Sequence, residues 1–282
     1  MLKPCSNFSR PTGLEPRIRT CPNSNGAGIR RFAFPNLIFI LWILGACSHV
    51  PEGPQPSEWT GAKALDRDPT LSICGPCTRK QAREWAEAAE SDVGAGLQAA
   101  NCYLFLATKE ADRSSRLADA QKGRTLAKNA VDRAPQSALA HYLYAYLTGL
   151  GAENDPLHGL EWAPVIEQAA RTASELNPSI DAGGPDRMLG ELYLRAPGMP
   201  VSIGDAEKAV AHYRRAVSLA PGYPENRLGL AEALLELEEM ESACLQLHQI
   251  LLDLPPAESK KPTWDKTLKL LKRVCITKGP EG

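Results

Sequence analysis

Two thiols separated by two residues stand at Cys74-Gly75-Pro76-Cys77. Such a pair can cycle between dithiol and disulfide, and a cysteine at a helix N-terminus is activated by a lowered pKa. That chemistry needs a core strand ending at the first cysteine and a helix starting there. Upstream lies a polar linker, Asp66-Arg67-Asp68-Pro69-Thr70, and helical patterns follow without strands. A helix beginning near Thr78 would have Cys74 as its cap, which keeps some reactivity in view. The alternative is a disulfide in an oxidising compartment, either local (Cys74 with Cys77) or a pair with Cys102. No second CxxC or paired histidine supplies the remaining ligands of a zinc site, so no metal is expected. His49, His141, His158, His212 and His248 are isolated in sequence, with no Ser/His/Asp or Glu/His spacing converging on them. The run Glu236, Glu238, Glu239, Glu241 reads as a solvated face near a helix end. The expectation is a chain without catalytic residue or cofactor.

Charge and hydropathy divide the chain. Residues 1–46 hold six basic side chains against one acid, and the remainder carries 26 Lys and Arg against 32 Asp and Glu. An acidic body offers no clustered cations to neutralise phosphates, which excludes nucleic acid as a partner. Arg30-Arg31 precede an apolar run, Leu37 to Leu44, of eight residues. A spanning helix needs roughly twenty, so this is the length of a signal-peptide core. It ends in Leu44-Gly45-Ala46-Cys47, which resembles the lipobox of bacterial lipoproteins. Residues 1–46 are therefore expected to be a signal peptide, with an over-extended start, and Cys47 the site of lipid attachment. Ser48 after the cysteine favours the periplasmic face of the outer membrane. Residues 47–72, rich in Pro and Gly, read as a flexible lipid-anchored tether, and 73–282 as the folded domain.

The elements that must position any functional group are helices. From residue 73 on, apolar residues recur at three- and four-residue steps in an Ala, Leu, Glu, Lys and Arg background. Four segments end alike, at Pro135, Pro178, Pro221 and Pro255, spaced 43, 43 and 34 residues. A pair of antiparallel helices of 34 residues closed by a proline is the tetratricopeptide repeat (TPR) unit. Ala209, Tyr213 and Ala216 precede Pro221 at the offsets at which Ala243, Leu247 and Ile250 precede Pro255, where the second helix packs on the first. The fold expected is an all-α, TPR-like helical-hairpin superhelix of about four irregular repeats. The irregularities are seven extra residues around 196–204 and an excess around 149–159.

In such a superhelix the first helix of each pair lines the concave side. Tyr142 and Tyr146 lie one turn apart and are expected to share that face, with Tyr144 on the packing side. Arg187, Glu191, Glu225 and Glu232 fall at equivalent places. Tyr and Arg are enriched at interface hot spots, so these six are the candidate partner-binding residues. Arg187 has a second reading, as an internal ion-pair residue fixing its loop.

The segment Gly183-Gly184-Pro185-Asp186-Arg187-Met188-Leu189-Gly190-Glu191-Leu192-Tyr193, continued through Gly204-Asp205-Ala206-Glu207 and Pro224-Glu225-Asn226, resembles the TatT family. These are periplasmic TPR-like lipoproteins associated with tripartite ATP-independent periplasmic (TRAP) transporters. The resemblance covers roughly 80–255 and departs in the long leader, the Cys74–Cys77 segment and the C-terminal piece 264–282. It implies a solute-binding protein of a TRAP transporter as partner, a homotrimer as in some members, and assistance in solute uptake. The alternatives are a general envelope interaction scaffold and a thiol–disulfide oxidoreductase of thioredoxin-like type.

Overall fold

Start and stop signals recur along the chain in matched pairs. The computed structural model describes residues 65–66, 72–154, 156–254 and 262–275. Its helices among the described residues are α1 (Arg79–Ala88), α2 (Val93–Lys109), α3 (Arg113–Arg133), α4 (Ala138–Asn154) and α5 (Pro156–Leu176). They continue as α6 (Gly184–Arg195), α7 (Ala206–Leu219), α8 (Pro224–Glu236), α9 (Met240–Asp253) and α10 (Pro262–Val274). Thr78, Asp92, Asp112 and Asp205 open α1, α2, α3 and α7, their side-chain oxygens accepting from backbone N–H groups of the first turn. Helices α6 and α8 start instead with a proline in the first turn, whose missing N–H would have had no helical partner anyway. At the other end, α3, α5, α7 and α9 each stop two residues before Pro135, Pro178, Pro221 and Pro255. Proline disfavours helical backbone at the residue before it.

Short connections make consecutive helices antiparallel neighbours. The pairs α2/α3, α4/α5, α6/α7 and α8/α9 pack as hairpins, and α10 lies against α8 and α9. The first helices also touch in succession, α2 with α4, α4 with α6, α6 with α8 and α8 with α10, forming an inner layer under the second helices. This is the TPR-like helical superhelix expected from the proline spacing. Ala209, Tyr213, Ala216, Ala243, Leu247 and Ile250 are all fully buried. Each buried Leu or Ile contributes roughly 1.5–3 kcal/mol relative to exposure.

The two irregularities have different structures. Residues 196–205 form a true loop between α6 and α7, closed by Gly204 N–H donating to Pro197 O at 2.9 Å and Asp205 N–H donating to Tyr193 O at 2.9 Å. The excess near 149–159 instead lengthens the helices: α4 has 17 residues and α5 has 21, against 12 and 14 in α6 and α7.

The expected signal peptide, the expected lipid-attachment residue Cys47 and most of the 47–72 segment lie outside the described residues. Leu65 and Asp66, expected in the tether, belong to the folded body. Leu65 packs against the core. Asp66 accepts from Ser137 Oγ at 2.9 Å and from the N–H groups of Ala138 and Leu139 at 3.1 and 2.9 Å. A carboxylate there satisfies orphan donors of the first turn of α4 and favours the positive end of its dipole. Among the described residues, no helix is long and apolar enough to cross a membrane.

Candidate functional site

The cysteine motif is drawn into the fold rather than displayed by it. Thr78, not Cys74, caps α1: its Oγ1 accepts from Gln81 N–H at 3.2 Å, and Gln81 Oε1 accepts from Thr78 N–H at 2.9 Å. Cys74 precedes the cap in left-handed backbone (φ 59°), is buried, and donates its N–H to Asn101 Oδ1 at 2.7 Å. Cys77 forms a disulfide with Cys102 of α2, their Cα atoms 5.8 Å apart. Of the two pairings open in the sequence, the local bond between Cys74 and Cys77 is thus corrected to Cys77–Cys102. Packing of α1 on α2 sets that Cα separation within the range a disulfide needs. Cys77 thus bonds outside the motif, and Thr78 rather than Cys74 stands at the helix start. A second disulfide joins Cys244 of α9 to Cys275, just after α10.

The six residues expected to face a partner lie on the inner layer, but they are engaged with other residues of the fold. Tyr142 and Tyr146 are buried at 1% and 7% exposure, while Tyr144 is half-buried, the reverse of the expected arrangement. The start of α6 closes over them: Tyr142 Oη donates to Asp181 Oδ2 at 2.6 Å, and the two tyrosine rings meet edge-on at 5.9 Å. Arg187 donates to the same Asp181 Oδ2 at 2.5 Å, to the carbonyls of Asp181 and Ala182 at 3.0 and 3.3 Å, and to Asn226 Oδ1 at 3.0 Å. Its guanidinium also lies 4.6 Å over the Tyr223 ring. The carbonyls it holds belong to a run of left-handed residues, Asp181, Ala182 and Gly183, with φ of 49°, 55° and 80°. Left-handed backbone at non-glycine residues costs of order 1–3 kcal/mol each and persists only where neighbours impose it. The second reading of Arg187, an internal residue fixing its loop, is the one this geometry realises. Burial pushes the Tyr142 phenol well above its usual range and the Asp181 carboxylate raises it further. Burial likewise raises the Asp181 carboxyl, against the pull of Arg187.

Glu191, Glu225 and Glu232 are buried in the same way. Tyr213 Oη donates to Glu191 Oε2 at 2.6 Å; Arg195 bridges Glu191 at 3.2 Å and Glu232 at 2.6 Å. Lys266 of α10 pairs with Glu232, and Thr263 Oγ1 donates to Glu225 Oε1 at 2.9 Å. The carboxylates therefore stitch α6 to α8 and α8 to α10, so the concave positions serve contacts between successive repeats. The segment 264–282, unplaced in the sequence, supplies the last of these through α10.

Three features were not visible in the sequence. Asp186, fully buried, gathers Ser174 Oγ at 3.0 Å, His212 Nδ1 at 2.8 Å and Arg215 at 3.6 Å, and His212 stacks on Tyr193 at 5.5 Å. Serine and histidine both turn to the carboxylate rather than to each other, so the trio lacks the serine–histidine contact of a nucleophile and its base. Residues 12 and 26 positions apart carry no local signal of this meeting. The second feature is an apolar cavity of about 290 Å³ between α4, α5, α6 and the 196–204 loop, lined by Ala163, Ile166, Met188 and Leu192, with Glu191 and Arg195 at its polar side. The third is the tip of that loop, where Met199 and Val201 are 81% and 64% exposed. No group of three or more His, Cys, Asp or Glu among the described residues is placed to hold a metal ion.

Residues 203–260 match the family model of the tetratricopeptide repeat, the stretch that holds α7, α8 and α9. No curated protein matches the chain. The repeat match and the packing of the hairpins make this a TPR-like protein, a fold that generally serves as a scaffold for protein–protein interaction.

Proposed function

We propose that this TPR-like chain is a lipid-anchored envelope protein that docks an extracytoplasmic solute-binding protein and assists TRAP-type uptake. The observation that carries the reading is the apolar cavity of about 290 Å³, placed within the segment that resembles the TatT family and bordered by its inserted loop. Pockets of this size and lining suit a small ligand whose apolar body is held by burial and whose orientation is set by few polar groups. The exposed Met199 and Val201 beside the cavity then take the place of the buried tyrosines as partner contacts. Exposed apolar side chains at the tip of a loop on a rigid helical frame are suited to docking. Anchoring at Cys47 would hold the body at the outer membrane, on its periplasmic face.

The experiment is capture of the tagged lipoprotein from membranes after mild crosslinking. Recovery of a solute-binding protein, and its loss with Met199→Asp and Val201→Asp, is the expected result. Recovery of envelope-assembly proteins alone would replace the transporter reading with that of a general scaffold.

A further inference from the structure

The C-terminal helix α10 is held in two ways, and one of them is reversible. Its non-covalent hold consists of buried Thr267, Leu270 and Leu271, with Lys266 on Glu232 and Thr263 on Glu225. Its covalent hold is the bond between Cys244 and Cys275. The two disulfides of the described residues differ in the access of one sulfur, since Cys77, like Cys244 and Cys275, is partly exposed and only Cys102 is buried. Cys102 is 2% exposed, and its sulfur lies 3.6 Å from Thr78 O under the start of α1. Cys244 and Cys275 are both partly exposed, and both border an open groove of about 780 Å³. Met240, His248, Arg273, Glu236 and Glu241 line that groove with them. A cation beside a cysteine favours its thiolate, which helps a disulfide sulfur to leave.

We propose that Cys244–Cys275 is a thiol–disulfide exchange site, the substrate of a vicinal dithiol, and that its reduction releases α10. A thiolate of the dithiol entering the groove attacks one sulfur, forming a mixed disulfide and expelling the other cysteine as thiolate. The second thiol of the reductant loses its proton and attacks the mixed disulfide, closing its own ring and freeing the second cysteine. Two electrons pass to the Cys244–Cys275 pair, and two protons from the dithiol finish on the two new thiols. Once the bond is open, α10 is a 13-residue helix carrying Lys266, Lys269, Lys272 and Arg273 against Asp265. With its staple lost it keeps only the contacts of Thr267, Leu270, Leu271, Lys266 and Thr263, and a helix of that length, marginal by itself in water, frays. Its departure uncovers Glu225 and Glu232 of α8 together with the apolar surface under Leu270 and Leu271, turning a capped repeat end into an open one. This device does not depend on the transporter reading.

The test uses the full oxidised chain under non-denaturing conditions, titrated with dithiothreitol and quenched by alkylation, with labelled cysteines mapped by mass spectrometry. Hydrogen exchange of residues 262–275 is followed in parallel. The expected result is labelling of Cys244 and Cys275 at least tenfold faster than Cys77 and Cys102, with exchange in α10 rising as labelling proceeds and α6 and α7 unchanged. The Cys244→Ser/Cys275→Ser variant should show the fast-exchanging α10 without any reductant. Equal rates of reduction at the two bonds would overturn the exchange site. Unchanged protection of α10 after reduction, or in the double serine variant, would overturn the release.

Discussion

Arg187 shows how much of this fold rests on single side chains that a sequence marks only as polar. It meets four acceptor atoms on three residues and its side chain is 15% exposed. Arg187→Ala leaves the Asp181 carboxylate without its cation and takes the donor from Asp181 O and Asn226 Oδ1, while Ala182 O keeps Asn226 Nδ2 at 2.9 Å. The expected loss is about 2–3 kcal/mol, read in urea unfolding, and Arg187→Lys recovers only part because an ammonium lacks the planar fork. A second prediction concerns pH. The hydroxyl of Ser114 first, then Ser115 N–H, holds the Asp112 carboxyl at the start of α3 down to about 2 from its ordinary 3.8. Because the folded value is the lower one, the cap stabilises fully above about pH 4 and is lost as pH falls through about 2. Faster amide exchange in the first turn of α3 over that acid window, flattened in Asp112→Asn, is the expected outcome. The loop-fixing role of Arg187 stood in the sequence only as a second reading beside partner binding, suggested by its place next to Gly183-Gly184-Pro185. Asp181 and Asn226 were not legible, because their only signal is the long-range contact itself.

At the scale of elements, the joint between repeats turns on two glycines and one ring. A Cβ on Gly190 of α6 would lie 2.7 Å from the Tyr213 ring, and one on Gly229 of α8 would lie 2.1 Å from it. Tyr213 of α7 thus fills space that both first helices leave open by lacking side chains. Gly190→Ala and Gly229→Ala should each destabilise by about 1–3 kcal/mol through overpacking, with the larger loss at Gly229. Thermal unfolding reads this as a fall of several degrees. Residues such as Ala209, Tyr213, Leu247 and Ile250 could be assigned to the core because their spacing repeats at offsets from a proline. The helix ends were legible for the same local reason. The lengthening of α4 and α5 was not, since a surplus of residues between repeats fits a loop and a longer helix equally well.

For the molecule as far as its described residues go, two disulfides sit at the two ends of the run of helices. Cys77–Cys102 ties the start of α1 to α2, and Cys244–Cys275 ties the end of α10 to α9, closing sequence separations of 25 and 31. End repeats of a solenoid have a neighbour on one side only, so they gain most from a staple. Removing Cys77–Cys102 as a serine pair should cost about 3–4 kcal/mol by the chain-entropy model, measured by denaturant unfolding. With the Cys244–Cys275 bond intact, that loss should appear first as exchange in α1 and leave α10 protected.

The sequence by itself determined the all-helical character, the hairpin period, the second-helix core positions and the stops, because each depends on residues within a turn or a repeat of one another. It also carried the case for a leader and a lipid anchor, which rests on basic residues, a short apolar run and a lipobox-like ending in immediate succession. Only the tertiary structure decided which way the first helices face. Tyr142, Arg187 and Glu232 are polar or aromatic at concave spacing, and a helix wheel places such residues outward. Contacts with residues 37 to 39 positions away turn them inward instead. Each repeat's concave surface is closed by the next repeat, and burying a phenol or a carboxylate is tolerable only where a distant partner completes its hydrogen bonds.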